Sequence, residues 1–185
     1  MKKQNISLMI IAILMILAAA ISRLVLYPHN LSPIIGMSLF AGAVIKDKKL
    51  AFAMPLLAMF LSDVMFEVFN VAPGFWGWWQ LLNYGALALI TCIGFFLKRI
   101  NVVNVTAFSL LSTVVFYFLS NTISYFVDLQ VYHLYATSFS GYLDCMIAGL
   151  PFMARGFLID LTYCAILFGG YYLMEKEVFN KAVSK

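Results

Sequence analysis

The chain alternates between apolar runs and short breaks rich in charge, Pro, Gly or Asn. The hydrocarbon core of a bilayer is about 30 Å thick, so a helix that spans it needs about 20 residues. The runs meet or approach that length. They predict six transmembrane helices, over residues 6–26, 32–45, 50–69, 80–97, 102–123 and 151–174.

The first and last segments of the chain need separate interpretation. Lys2, Lys3 and the apolar run before Ala18-Ala19-Ala20 resemble a signal peptide with a cleavage site. We expect an uncleaved first helix instead, because the run continues to Leu26 and so reaches the length of a span. At the other end, we expect the polar segment from Glu175 to extend the last helix.

Several spans and connecting segments have sequence features that predict local structure. The second span is short and rich in Gly, Ala and Ser, which favours close helix packing. The third contains Pro55, a candidate kink. VAPGFWGWW, residues 71–79, is typical of an interfacial aromatic belt or of a loop that covers a site. We expect residues 124–144, which include His133 and four tyrosines, to form an irregular connection.

Composition supports the membrane assignment. Hydrophobic residues make up 64% of the 185 residues and charged residues only 11%, so a soluble domain of this size could not bury the apolar surface. We expect an all-α polytopic membrane bundle, with residues 1–185 in a single transmembrane domain. The three cysteines have no metal-binding spacing. The net charge of +4 does not indicate nucleic-acid binding, because the basic residues cluster between spans.

The basic clusters predict the orientation. Ten of the twelve Lys and Arg residues fall in alternate loops and in the two termini: Lys2, Lys3, Lys46, Lys48, Lys49, Lys98, Arg99, Lys176, Lys181 and Lys185. Loops that face the cytoplasm are enriched in Lys and Arg. Both termini are therefore predicted to be cytoplasmic, and we expect a multi-pass protein of the bacterial inner membrane.

Polar residues within the spans are candidates for function, because a charge inside the bilayer is costly. They fall at one predicted level near the outer face: Arg23, Asp63, Glu67, Asn83, Tyr84, Asn121 and Arg155, with His29 in an outer loop. Asp160 is predicted to lie about 7–8 Å deeper than Arg155, at a rise of about 1.5 Å per residue. Asp63 and Glu67 are four residues apart and are predicted to share a helix face.

Two interpretations of these residues stay open. In the first, they form a pocket in which the Arg155 guanidinium binds a carboxylate, phosphate or amide, and Asp63 and Glu67 accept from the solute or hold the arginines. In the second, Arg23 and Arg155 pair with Asp63, Glu67 and Asp160 only to lock the bundle. The sequence contains no P-loop, HExxH or GxSxG motif, so we expect neither an enzyme nor a bound metal or cofactor.

Several segments resemble one family. The run R-x-x-x-Y-P-H-N-x-x-P-I-I-G-M-S-L-F-A-G-A, residues 23–43, is similar to the start of small bacterial membrane proteins related to the S components of energy-coupling-factor vitamin transporters. PLLAMFLSD, NYGALALI, FLSNTISYF and GLPFMARGFLIDLTYCAILFGGY look like later blocks of that family. The resemblance implies a six-helix bundle that binds a vitamin-like solute near its outer face. It also implies that uptake needs either a separate transmembrane coupling protein with ATPase subunits or no partner protein at all.

Within this family, the small cobalamin-uptake proteins offer the most informative comparison. Their pattern of His, Asp, Tyr and Arg corresponds here to His29, Asp63, Tyr84 and Arg155. Their cobalt-ligating cysteine has no counterpart, since no Cys occurs between residues 71 and 84. The implied solute is therefore a corrinoid or another vitamin.

These observations give one expected function and one alternative. We expect a protein that binds and helps to import a vitamin-sized solute. The expected solute contacts are Arg155, Asp63, Tyr84, His29 and Asn121, and the expected supporting residues are Glu67, Asp160, Arg23 and Asn83. The alternative is a structural or accessory membrane subunit whose charges only lock the bundle.

Overall fold

The computed structural model describes residues 6–25, 32–75 and 77–183, and this part of the chain is all-helical, without strands. The helices are α1 (Ile6–Val25), α2 (Ile34–Val44), α3 (Lys48–Val68), α4 (Gln80–Phe96), α5 (Val102–Val131) and α6 (Phe139–Val183). A short 3₁₀ turn, Gly77–Trp79, precedes α4. The predicted all-α class is confirmed.

Four of these helices, α1, α3, α5 and α6, are long and apolar enough to cross a bilayer. The other two, α2 and α4, are apolar but shorter, at 11 and 17 residues. Large apolar side chains such as Leu14, Phe96 and Leu158 are exposed on the helix surfaces. Such faces need a lipid environment, and they indicate a membrane protein.

Side-chain caps explain where two of the long helices begin. The Asp47 carboxylate accepts a hydrogen bond from the amide of Leu50 at 3.0 Å, at the start of α3. The Asn101 side chain accepts one from the amide of Asn104 at 2.8 Å, at the start of α5. Each cap satisfies an amide that has no partner within its helix, so polar loop residues fix the entry into two apolar helices.

The shortest helix lies at the centre of the bundle. Nine of the eleven residues of α2 are buried, and α2 contacts each of the other five helices. At about 16 Å, α2 is much shorter than the bilayer core. The other five helices therefore pack around it.

Glycines allow α4 to approach α2 closely. A Cβ atom on Gly42 would lie 2.2 Å from the carbonyl oxygen of Thr91, and one on Gly94 would lie 2.6 Å from that of Leu39. Any side chain at either glycine would therefore collide with backbone. This geometry confirms the close packing that the small residues of the second span predicted.

The predicted irregular connection over residues 124–144 is wrong. Helix α5 continues to Val131 and α6 already begins at Phe139, twelve residues before the predicted start at Pro151. The turn between them is held by Asp128, whose two carboxylate oxygens accept from the amides of Leu134 at 3.1 Å and Tyr135 at 2.9 Å. At the other end, α6 runs past Glu175 to Val183, as predicted.

Candidate functional site

A buried carboxylate joins three helices near the end of α1. Asp63 of α3 is fully buried, and its Oδ1 atom accepts a hydrogen bond from the guanidinium of Arg23, with which it forms an ion pair. The same Arg23 nitrogen donates to the Ser62 hydroxyl at 2.6 Å, and its guanidinium carbon lies 4.7 Å from the centre of the Phe66 ring. Arg23 is thus held by a charge, a hydroxyl and an aromatic face.

The second oxygen of Asp63 is also occupied. Its Oδ2 atom accepts from the amide nitrogen of Gln80 at 2.7 Å and from the hydroxyl of Tyr84 at 2.8 Å. Both donors lie one turn apart on α4, so they reach the same carboxylate. Asp63 therefore ties α1, α3 and α4 together. We call Arg23, Ser62, Asp63, Gln80 and Tyr84 the Asp63 network.

Glu67 stabilises a loop and lies outside this network. It is exposed, unlike the buried Asp63, although the two are one turn apart. Its Oε1 atom accepts from the amides of Gly74 at 2.8 Å and Phe75 at 3.1 Å. The loop in turn packs on α3, since a Cβ atom on Gly74 would lie 2.0 Å from the carbonyl oxygen of Asp63. Glu67 pairs with neither Arg23 nor Arg155.

The arginine of α6, Arg155, has a different environment. Arg155 is exposed and forms no ion pair or hydrogen bond with any described residue. It lines a cavity of about 190 Å³ between α2, α5 and α6, which we call the Arg155 cavity. Its polar lining residues are Ser32, Thr113, Tyr117, Ser120, Asn121, Arg155 and Asp160.

Several hydrogen-bond donors lie among the residues that line this cavity. Ile34 and Ile35, the first residues of α2, line it, and no side chain of a described residue caps this helix. The first amides of a helix have no acceptor within it and carry a partial positive charge. The buried Ser32 hydroxyl oxygen beside them has no partner among the described residues. With the five N–H donors of Arg155, these groups make the cavity suited to an anionic group.

Asp160 provides an acceptor in the same cavity. It is 3% exposed, and its Oδ2 atom accepts from the Thr113 hydroxyl at 2.6 Å. Its Oδ1 atom has no hydrogen-bond donor among the described residues. Asp160 and Thr113 join α5 to α6, and Asp160 can also accept from a bound molecule.

A larger groove adjoins the Arg155 cavity. This groove of about 700 Å³ lies between α4, α5 and α6, and we call it the tyrosine groove. It is lined by Trp79, Asn83, Ser120, Asn121, Ile123, Ser124, Val127, Asp128, Val131, Tyr132, Tyr135, Cys145, Ala148, Gly149 and Phe152. Three of these residues, Ser120, Asn121 and Phe152, also line the Arg155 cavity.

The predicted site residues therefore separate into two groups. Arg23, Asp63 and Tyr84 belong to the Asp63 network, whereas Arg155, Asp160 and Asn121 line the Arg155 cavity. Asn83 lies between the groups, since it lines both the tyrosine groove and a small cavity beside Arg23 and Gln80. His29 lies outside the described residues.

Two helical patterns could have revealed residues that the sequence analysis did not single out. Gln80 precedes Tyr84 by one turn, which places it on the face that meets Asp63. On α5, polar residues recur at the helical spacing of three or four: Thr113, Tyr117, Ser120, Asn121 and Ser124. The nearly continuous apolar background of α5 obscured this polar face.

The fold and these cavities define an all-helical membrane protein with polar interior sites. A family model described as a family of unknown function, DUF6580, matches residues 2–182, so the chain belongs to that family. No curated protein and no solved structure matches the chain.

Proposed function

We propose that this protein binds a vitamin- or cofactor-sized solute and takes part in its uptake across the bacterial inner membrane, in the manner of a transporter S component. It spans the membrane six times as one domain, with both termini in the cytoplasm. The central position of α2 supports six spans, because the other five helices pack around this helix, which is too short to cross the bilayer by itself. The protein catalyses no reaction in this proposal.

The observation that carries the proposal is the guanidinium of Arg155, which lines a cavity and has no ion-pair or hydrogen-bond partner among the described residues. An intramembrane arginine that only stabilised the bundle would be expected to have a carboxylate partner. Arg23 has one, but Arg155 has none among the described residues. The donors of Arg155 and the first amides of α2 are available to a solute.

The solute enters through the tyrosine groove and comes to rest against Arg155 and Asn121. A corrinoid or another vitamin fits the resemblance described above. Uptake then requires either a transmembrane coupling protein with ATPase subunits, or a movement of this chain alone. Arg23, Asp63, Tyr84 and Asn83 act mainly by holding α1, α3 and α4 in place beside the cavity.

An accessory subunit without a solute is the second candidate, and the Asp63 network favours it. Both carboxylate oxygens of Asp63 accept hydrogen bonds from within the protein, as expected of a structural lock. In that case Arg155 would contact lipid headgroups or a partner subunit.

Thermal unfolding of the purified protein against a panel of vitamins, including cobalamin and cobinamide, separates the two candidates. A compound at a hundredfold over its dissociation constant stabilises the folded state by about 2.7 kcal/mol. We expect one compound to raise the melting temperature, and Arg155→Gln to remove the rise. Arg99→Gln, at an exposed loop arginine, is the matched control and should preserve it. No rise with any compound, in a folded protein, would favour the accessory subunit.

A further inference from the structure

One face of α5 connects the Arg155 cavity to the tyrosine groove. Residues 113, 116, 117, 120 and 121 line the cavity, and residues 120, 121, 123, 124, 127, 128 and 131 line the groove. These positions recur every three or four residues and so form one stripe along the helix. The stripe covers about 27 Å. A bound molecule can therefore occupy both spaces at once.

The two spaces differ in chemistry. The Arg155 cavity presents the guanidinium, the Ser32 hydroxyl and the α2 amides, which together attract an anion. The tyrosine groove presents the flat rings of Trp79, Tyr132, Tyr135 and Phe152. Aromatic side chains pack well against planar rings. The amides of Asn83 and Asn121 and the Ser124 hydroxyl can bind ring heteroatoms.

We propose that the solute has two parts, a terminal anionic group bound by Arg155 and a planar heteroaromatic ring held in the tyrosine groove. This inference rests on the proposed function and narrows it to a class of solute. Four residues of α6 line the groove, and they are three to ten residues from Arg155: Phe152, Gly149, Ala148 and Cys145. At a rise of about 1.5 Å per residue, the ring and the anion are about 5 to 15 Å apart.

Three matched probes test the two parts separately. The first is 5-(quinolin-6-yl)pentanoate, which has a carboxylate, a spacer and a planar ring. The second is its primary amide, which lacks the charge, and the third is 5-cyclohexylpentanoate, which lacks the planar ring. Binding is measured by calorimetry on the full-length protein in nanodiscs, with empty nanodiscs subtracted because the probes partition into lipid.

We expect the quinoline acid to bind at least tenfold more tightly than either analogue. Arg155→Gln should abolish the preference for the acid over its amide, a loss of roughly ten- to a hundredfold. Tyr132→Leu should abolish the preference for the planar ring. Its matched control is Tyr172→Leu, because these tyrosines are 61% and 62% exposed and Tyr172 lies far from the groove along α6.

The outcomes separate this inference from the proposed function. A vitamin that binds in an Arg155-dependent way, while the quinoline acid binds no better than its analogues, would overturn the two-part solute alone. If neither the vitamins nor the probes bind to the folded protein, the proposed function is wrong and the inference fails with it.

Discussion

Arg23 of α1 and Asp63 of α3, 40 residues apart in the chain, form an ion pair inside the bundle. The Asp63 side chain is fully buried, and that of Arg23 is 16% exposed. Neither charge could remain in this position alone, because an unpaired charge in a poorly solvated site is strongly destabilising. The pair therefore fixes how α1 and α3 meet.

Replacing Asp63 with Asn should destabilise the protein by about 3 to 5 kcal/mol, because Arg23 would lose its counter-charge. Chemical unfolding in detergent measures the change. Asp144→Asn is the control, since Asp144 is exposed and has no hydrogen bond or ion pair with a described residue. Equal stabilities of the two variants would contradict the structural role of the pair.

Removing the Tyr84 hydroxyl should have a smaller effect in the same direction. Tyr84→Phe deletes one hydrogen bond to a buried carboxylate, and such bonds contribute about 1.5 to 3 kcal/mol. Tyr172→Phe, at a tyrosine that is 62% exposed, should leave the unfolding free energy within about 0.5 kcal/mol of the parent. A loss of similar size in both variants would show that the Asp63 network does not depend on this hydroxyl.

The contact between α2 and α4 should be sensitive to a single methyl group. Gly42→Ala would place a Cβ atom 2.2 Å from the Thr91 carbonyl oxygen, and overpacking of this kind costs about 1 to 3 kcal/mol or more. Gly85→Ala on α4 is a matched control, because nothing lies within 4 Å of its added Cβ.

Gly85→Ala should be neutral or slightly stabilising, since Ala favours a helix over Gly by about 1 kcal/mol. Thermal melts of the Gly42→Ala and Gly85→Ala variants test this expected difference in stability. Unchanged stability in Gly42→Ala would mean that α2 is not packed against α4 as described.

A glycine on α6 should control the junction between the cavity and the groove. A Cβ atom on Gly149 would lie 2.2 Å from the side-chain oxygen of Asn121. Gly149→Ala should therefore displace the Asn121 amide and lower the unfolding free energy by about 1 to 3 kcal/mol. Gly169→Ala on the same helix has open space around the new atom and should be neutral. Equal melting temperatures would argue against this contact.

The positions of most helices could be predicted, because apolar runs and charged breaks are local features of the sequence. The early start of α6 was not, since it depends on tertiary contacts. The Tyr125 hydroxyl donates to the carbonyl oxygen of Ala136 at 3.0 Å, and the hydroxyls of Thr122 and Tyr142 lie 3.0 Å apart. A segment rich in tyrosine looks irregular in sequence until the partners of those hydroxyls are known.

The polar residues of the spans were found from sequence, but their grouping was not. The depth of a side chain along its helix follows from its residue number, so a common level for these polar residues could be predicted. The direction that each side chain takes around the bundle depends on how the helices are rotated and packed. That rotation pairs Arg23 with Asp63, leaves Arg155 in a cavity, and directs Glu67 to a loop.

The central claim is that the two intramembrane arginines have different roles, Arg23 a structural one and Arg155 a solute-binding one. The most direct measurement compares the unfolding free energies of Arg23→Gln and Arg155→Gln in the same detergent without solute. We predict a loss of about 3 to 5 kcal/mol for Arg23→Gln, which leaves the buried Asp63 unpaired, and a change within about 0.5 kcal/mol for Arg155→Gln. Equal losses in the two variants would contradict the account, because Arg155 would then also stabilise the bundle.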